Sequence, residues 1–166
     1  MTEFGRSVVK KMNQINMFVD VSHLNEKSFW DVCEVSKQPI IATHSNAKKL
    51  CNHIRNLTDE QIKEVIRHGG FIGINLYSSF LVDEGKATID DIMIHIEHIL
   101  ELGGENTLGF GADLDGCDIL PESFFDARDY KKIAERLEYL YNGDIVEKIT
   151  HRNLRVYINQ ILLALK

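Results

Sequence analysis

A chain of 166 residues, 44% of them hydrophobic and 27% charged, is long enough for one domain with a hydrophobic core. The net charge of −6 and the scattered lysines and arginines argue against nucleic-acid binding, which requires a basic face. No apolar run approaches the roughly 20 residues that cross a bilayer, so no membrane segment is expected. Three cysteines without paired spacing and no hydrophobic signal region favour free thiols and a cytoplasmic location, if the first residue is the true N-terminus.

Helical and extended patterns alternate from the start of the chain. An amphipathic helix is predicted over 5–15, and the short apolar run from Met17 to Val21 then predicts a strand that ends beside His23. Helical spacing returns over 25–36. The next apolar run, Ile40 to Ala42, predicts a second strand.

The middle of the chain repeats this alternation. Thr58 begins a capping-box sequence, and the pair Gly69-Gly70 is expected to end the helix that follows it. Strands are predicted over Phe71 to Leu76 and Leu108 to Ala112, with a strongly periodic helix from Thr88 to Leu100 between them. Further helices are predicted over roughly 129–140, 144–150 and 152–164.

Four βα units in succession predict parallel strands with helical crossovers, in a single domain over 1–166. Two architectures fit: an open doubly wound sheet, or half of a (β/α)8 barrel with additional C-terminal helices. No Gly-rich dinucleotide fingerprint or Walker A loop follows any strand, which removes the main argument for a nucleotide-binding sheet. A whole barrel takes about 250 residues, and four strands alone do not close one.

Polar side chains follow three of the predicted strands at their carboxyl ends, where barrel enzymes have their active sites. These residues are His23, His44 and Asp113. Imidazoles suit zinc, and a nearby carboxylate can bind metal or move protons. A single histidine at such a position is more often a hydrogen-bonded structural residue. The pattern by itself therefore leaves a metal or acid–base site and structural histidines as open alternatives.

Five segments in order resemble successive signature segments of the zinc-dependent membrane (renal) dipeptidase family. They are Phe18–His23 (FVDVSH), Ile41–Asn46 (IATHSN), Arg55–Asp59 (RNLTD), Gly69–Tyr77 (GGFIGINLY) and Gly109–Gly116 (GFGADLDG). Together they span nearly the whole chain. The family is a (β/α)8 barrel roughly twice as long, and the resemblance is to its C-terminal half.

The resemblance implies a role for each matching residue. It assigns His23 and His44 as ligands of one of the family's two zinc ions and Arg55 as the anchor for the free carboxylate of a dipeptide. It assigns Asp113 to proton transfer and binding of the substrate amine, with Asp115 shaping the loop. The implied reaction is hydrolysis of dipeptides by metal-activated water.

The family's remaining ligands, a His-x-Asp pair and a bridging glutamate, belong to the first half of the barrel, and no His-x-Asp occurs in this chain. At most one zinc site is therefore expected here, and the isolated chain is expected not to turn over substrate. The alternatives are a non-catalytic remnant, or a half-barrel completed by a missing N-terminal half or by a second copy. A related barrel amidohydrolase acting on another amide is a further alternative.

Other polar residues favour structural roles. His95 and His98 form a His-x-x-His pair that is expected on the solvent-facing or flanking side of its helix. His68, in a last helical turn, suits the helix dipole. Asn75 is expected at the active-site rim. Cys117 follows Asp113 closely but has no histidine beside it in sequence, so a nucleophilic role is not favoured.

Overall fold

Helices and short parallel strands alternate along residues 1–163, the part of the chain that the computed structural model describes. The helices are α1 Glu3–Gln14, α2 Glu26–Val35, α3 Asp59–Arg67, α4 Ser78–Leu81, α5 Ile89–Glu101, α6 Tyr130–Leu140, α7 Gly143–Glu147 and α8 Asn153–Leu163. The strands are β1 Ile41–Ala42, β2 Phe71–Ile74 and β3 Leu108–Phe110. Residue 164 of the last predicted helix and the end of the predicted domain lie outside the described residues. Among residues 1–163, no helix is long and apolar enough to cross a membrane.

The three strands form one parallel sheet in the order β1-β2-β3, as the alternating pattern predicts. The predicted strand over Met17 to Val21 is reduced to a single parallel bridge between Asp20 and Ile41. Ile41 N–H donates to Val19 O at 3.0 Å, and Val21 N–H donates to Ile41 O at 2.8 Å. The ladder stops there because the chain turns after Val21, whose carbonyl accepts from Leu24 N–H at 3.1 Å.

Side-chain caps set the helix starts where the sequence predicts them. The Asn25 side chain accepts from Ser28 N–H at 2.9 Å. At the start of α3, Thr58 Oγ1 accepts from Gln61 N–H at 3.2 Å while Gln61 Oε1 accepts from Thr58 N–H at 2.9 Å, which completes a capping box. Gly69, with φ +62°, follows the end of α3, in the left-handed region that glycine adopts without strain.

Side chains alternate between the two faces of the sheet, and every residue of β1 and β2 is buried, so both faces are covered. Ala42 and Ile72 belong to the main core beneath the helices. Ile41 and Phe71, which are register partners, instead contact Tyr157 of α8 in a separate apolar cluster. The last helix therefore packs on this side of β1 and β2.

Close backbone approach fixes two glycines in the sheet region. A Cβ placed at Gly111 would lie 1.6 Å from Thr43 O, and one at Gly73 would lie 2.1 Å from the same oxygen. Gly143, at the start of α7, has no atom within 4 Å of such a Cβ. The sheet tolerates no side chain at the first two positions, whereas Gly143 faces open space.

Gly111→Ala is expected to lower the free energy of unfolding by about 1–3 kcal/mol, since the Thr43 backbone must move to admit the methyl group. Gly143→Ala is the matched control and is expected to be neutral or stabilising by about 0.4–1 kcal/mol. Urea denaturation of both variants measures the difference. Equal unfolding midpoints for Gly111→Ala and Gly143→Ala would contradict the close approach.

Candidate active site

Two histidines meet at the carboxyl edge of the sheet. His23 follows the bridged segment 19–21, and His44 follows β1, which lies parallel to it. Their Nε2 atoms are 2.8 Å apart, and their ring centroids are 4.9 Å apart. The structure thus brings together the two imidazoles that the sequence places at successive strand ends.

A short hydrogen-bond chain orients His44. Thr43 Oγ1 donates to Asp20 Oδ2 at 2.6 Å and lies 2.8 Å from His44 Nδ1. Because the single hydroxyl proton goes to Asp20, Oγ1 accepts from Nδ1–H of His44. Asp20 Oδ1 is itself held by Ser22 N–H at 3.0 Å and Thr43 N–H at 3.2 Å. This arrangement assigns the Nδ1–H tautomer to His44, so that its Nε2 is unprotonated and acts as an acceptor.

The electrostatics agree with this assignment. Burial lowers the pKa of His44 below its ordinary value, against the opposing influence of Asp113 and Asp20. Burial raises the pKa of Asp20, but the hydrogen bonds from Thr43 and Ser22 outweigh it and hold that pKa below its usual value. An ionised carboxylate therefore supports a neutral imidazole through the Thr43 hydroxyl, and hydrogen-bond support of this kind is usual for a metal-binding histidine.

Arg55 joins the two histidines. Its Nη1 lies 3.0 Å from His23 Nδ1 and its Nη2 lies 3.2 Å from His44 Nε2, while Nε donates to Ser22 O at 3.2 Å. The guanidinium also lies 5.6 Å from the ring centroid of Phe80. Since a guanidinium only donates, both imidazole nitrogens act as acceptors. His23 accordingly carries its proton on Nε2, which faces His44.

Asp113 lies at the edge of this cluster, three residues beyond β3. Its Oδ2 is 4.0 Å from His44 Nε2, and its side chain is 39% exposed. Asp113 has φ +55°, and its carbonyl accepts from Gly116 N–H at 2.9 Å. A Cβ at Gly116 would lie 2.6 Å from the Asp113 carboxylate, so this glycine leaves the space that the carboxylate occupies.

A cleft of about 400 Å³ opens beside the cluster. His23, Arg55 and Lys48 are among its lining residues. The cleft places one imidazole and one guanidinium on a solvent-accessible surface, where a small anionic molecule could reach both.

The His-x-x-His pair does not behave as the sequence predicts. His95 is 1% exposed, so its expected solvent-facing or flanking position is wrong. Its Nδ1 accepts from Ala47 N–H at 3.1 Å, and its Nε2 donates to Leu81 O at 3.0 Å. His98 instead contacts Asp59 Oδ1 at 2.7 Å, so the two rings share no partner. Helical spacing from the buried Ile92 and Ile96 already places position 95 on the core face.

Two further residues near the site are structural. Asn75 is fully buried rather than on the rim: its N–H donates to Asn46 Oδ1 at 2.9 Å, and its Oδ1 accepts from Tyr77 N–H at 2.6 Å. Cys117 Sγ lies 3.5 Å from Ala112 O, and burial raises its pKa to about 11. The Cys117 thiol is therefore protonated near neutral pH, which argues against a nucleophilic role.

Sequence reasoning missed Asp20, Thr43 and a separate group of potential ligands. Within residues 1–163, one trio of possible metal ligands has all its ligand atoms within 4.8 Å of one another, and it comprises Cys33, Glu64 and His68. Thr43 stands beside His44 in sequence, and that adjacency was the available signal. Asp20 interrupts an apolar run, which also marks it as unusual.

Comparison with known proteins places these observations in a family. The model of the membrane dipeptidase family (peptidase family M19) matches residues 1–162. An uncharacterised protein from the 5′ region of pqqA in Klebsiella pneumoniae is 36% identical over 165 residues, which cover 96% of this chain and 60% of that protein. An uncharacterised dipeptidase of Schizosaccharomyces pombe is 33% identical over 173 residues, covering 100% of this chain and 41% of that protein.

A solved structure shows the same correspondence. The metallopeptidase of Rhodobacter sphaeroides, liganded with a phosphinate mimic of the dipeptide L-Ala-D-Ala, superposes with a TM-score of 0.91 at 31% identity. The match covers 96% of this chain and 47% of that one. The chain thus spans between two fifths and three fifths of the length of these relatives. It belongs to the membrane dipeptidase family, peptidase family M19.

Proposed function

We propose that this chain forms the C-terminal half of a (β/α)8 metal-dependent dipeptidase and carries one half of its active site. In this proposal His23 and His44 bind a metal ion, Arg55 binds the substrate carboxylate and Asp113 transfers a proton. The observation that carries the proposal is the 2.8 Å approach of the two Nε2 atoms beside the Arg55 guanidinium.

The side chains fit a zinc ion. Zinc takes imidazole nitrogen at about 2.0–2.1 Å, so two nitrogens on one ion lie about 3 Å apart. The Nε2 atoms of His23 and His44 are already near that separation. The Thr43–Asp20 support holds His44 in the tautomer that a metal requires. When bound, zinc lowers the pKa of a water molecule toward neutrality and polarises a carbonyl group.

Arg55 has two mutually exclusive sets of partners. In the metal-binding tautomer of His23, with Nε2 free, Nδ1 carries the proton and cannot accept from Arg55. His44 Nε2 likewise stops accepting from Arg55 once its lone pair is used. Metal binding would therefore release the guanidinium, whose two parallel N–H groups match a carboxylate. The cleft beside Arg55 gives a dipeptide access to it.

Asp113 is positioned for proton transfer. Its carboxylate is partly exposed, lies 4.0 Å from His44 Nε2 and is held over Gly116 by a tight turn. A carboxylate in that place can accept a proton from the attacking water and deliver it to the departing amine. It can also pair with the ammonium group of a dipeptide, which would leave no room for longer substrates at that end.

The remaining metal ligands must come from outside these residues. Two imidazoles and a carboxylate 4.0 Å away do not enclose two metal ions, and the relatives extend well beyond the matched region. The outer edges of the bridged segment 19–21 and of β3 are where further barrel strands would pair. Because the chain matches only part of the length of its relatives, a second candidate is a non-catalytic half-barrel that pairs with another chain or a second copy.

A chimera tests the proposal. Residues 1–162 replace the matching segment of the Rhodobacter sphaeroides metallopeptidase, and dipeptide hydrolysis is measured with added zinc, beside the 166-residue chain alone. We expect turnover by the chimera, loss of turnover in its Asp113→Asn variant, retention in its Asp118→Asn variant, and none by the chain alone.

Gel filtration and circular dichroism must first show that each sample is folded. A folded chimera without activity, when the parent enzyme is active, would overturn the assignment of these residues. Turnover by the chain alone that Asp113→Asn abolishes would instead show that its site is complete.

A further inference from the structure

Three potential metal ligands lie together away from the candidate active site. Cys33 is in the last turn of α2, Glu64 is on α3, and His68 directly follows α3. Their sulfur, oxygen and nitrogen ligand atoms all lie within 4.8 Å of one another. Cys33 is buried, and the other two side chains are 18% and 11% exposed.

This trio lies at the opposite end of the sheet from the histidine pair. Helices α2 and α3 end just before β1 and β2 begin, so Cys33 and His68 lie near the amino ends of these strands. His44 and Asp113 follow the carboxyl ends of β1 and β3. The two groups therefore cannot share an ion.

We propose that Cys33, Glu64 and His68 form a second site for a divalent transition metal of the zinc type, which ties α2 to α3. The donor set is one thiolate, one imidazole and one carboxylate, which zinc accepts in tetrahedral geometry with water as the fourth ligand. The i,i+4 spacing of Glu64 and His68 places both on one face of the helix. Their Oε1 and Nε2 atoms are 3.3 Å apart.

Two members of the trio, Glu64 and His68, already contact a cationic side chain. The Arg67 guanidinium donates to Glu64 Oε2 at 2.8 Å and Oε1 at 2.5 Å, and it lies 3.2 Å from His68 Nε2. The Arg67 side chain is 67% exposed, so it can swing into solvent. A metal ion would take the place of the Arg67 guanidinium beside Glu64 and His68 as a more compact positive charge.

Closing the site requires small movements. Ligand atoms at about 2.0–2.3 Å from one zinc ion lie about 3.5 Å from each other, and all three ligand atoms here lie within 4.8 Å of one another, so no separation has to shrink by more than about 1.3 Å. Burial and the neighbouring Glu64 raise the pKa of Cys33 to about 12, while Arg67 lowers it. The ion therefore takes the place of the thiol proton, as at other thiolate sites.

Cobalt(II) titration of the whole chain tests the site, because a thiolate ligand gives a near-ultraviolet charge-transfer band that imidazoles alone do not. We expect this band in the wild-type chain and in the double variant His23→Gln/His44→Gln. We expect it to persist in Cys117→Ser and to disappear in Cys33→Ser. A folded wild-type chain without the band, or a band that Cys117→Ser removes and Cys33→Ser leaves, would overturn the proposal.

Two further variants keep the test decisive if Cys33→Ser does not fold. His68→Gln is expected to weaken cobalt binding at least tenfold. Arg67→Ala is expected to strengthen it up to about fivefold, the equivalent of the ~1 kcal/mol that an exposed ion pair contributes. Equal affinities for wild type and His68→Gln in folded samples would exclude this ligand set.

Discussion

Replacing His44 by alanine is expected to weaken zinc binding at the candidate active site by at least about 100-fold. His44 Nε2 is one of two imidazole nitrogens facing each other at 2.8 Å. Loss of a direct ligand should exceed the roughly 10–100-fold contributed by outer hydrogen-bond partners. Calorimetric titration in a Cys33→Ser background measures this site without a contribution from the thiol-containing trio.

The same titration separates the loss of a zinc ligand from the loss of a residue that only supports that ligand. Thr43→Val removes the hydroxyl that accepts from His44 Nδ1 and donates to Asp20, so we expect a loss of about 10–100-fold. His53→Ala is the matched control, since that ring accepts from the backbone N–H of Arg55, lies tilted against Phe80 and is not an assigned ligand. A larger loss in His53→Ala than in His44→Ala would contradict the assigned ligand.

Replacing His95 by leucine is expected to lower the free energy of unfolding by about 2–5 kcal/mol. The substitution leaves Ala47 N–H and Leu81 C=O buried without their present partners, and each such group costs about 1–3 kcal/mol. His98→Leu, on the same helix, removes only a half-buried contact with Asp59 and should cost about 1 kcal/mol or less. Chemical denaturation of both variants provides the comparison, and equal costs would contradict the role of His95.

The buried His95 is also expected to make the free energy of unfolding depend on pH. Burial lowers the pKa of His95, so near its ordinary value of about 6.5 the unfolded chain binds this proton more readily than the folded chain. Stability should therefore fall as pH drops below about 6.5, until the lower pKa of the folded state is reached. His44, whose pKa burial also lowers, contributes in the same direction.

Denaturation at about pH 7.5 and pH 5 measures this loss. The loss should be smaller in His95→Leu than in the wild type. Asp20 acts at lower pH: its pKa is below the ordinary value of 3.8, so the stability that it contributes is present above that pH and lost as the pH falls through the folded-state pKa. An unchanged pH profile in His95→Leu would exclude His95 as the source.

Local chemistry made much of the fold predictable. The Thr58 capping box and Gly69 mark the bounds of α3, because they satisfy or redirect backbone groups within a few residues. The positions of His23 and His44 after successive apolar runs predicted that they would meet, since parallel neighbours end at one edge. The resemblance of their segments to one family then supplied the expected roles.

Features that depend on tertiary contacts were not predictable in this way. The predicted strand over Met17 to Val21 is reduced to one bridge with Ile41 because the chain turns after Val21, and the apolar pattern does not record where that turn falls. The support of His44 by Asp20 requires two chain segments 23 residues apart to lie side by side. Cys33 of α2 meets Glu64 of α3 although the two residues are far apart in sequence, and no local pattern records that contact.

The position of α8 has a consequence for the order of folding. The Tyr157 hydroxyl donates to Pro39 O, 118 residues away along the chain, and its ring stacks on Phe18. During synthesis from the N-terminus, Ile41 and Phe71 remain uncovered until this helix leaves the ribosome. Contacts of such long sequence separation slow folding and leave an apolar surface exposed to association in the meantime. The nascent chain should therefore become resistant to proteolysis late and in a single step, rather than one βα unit at a time.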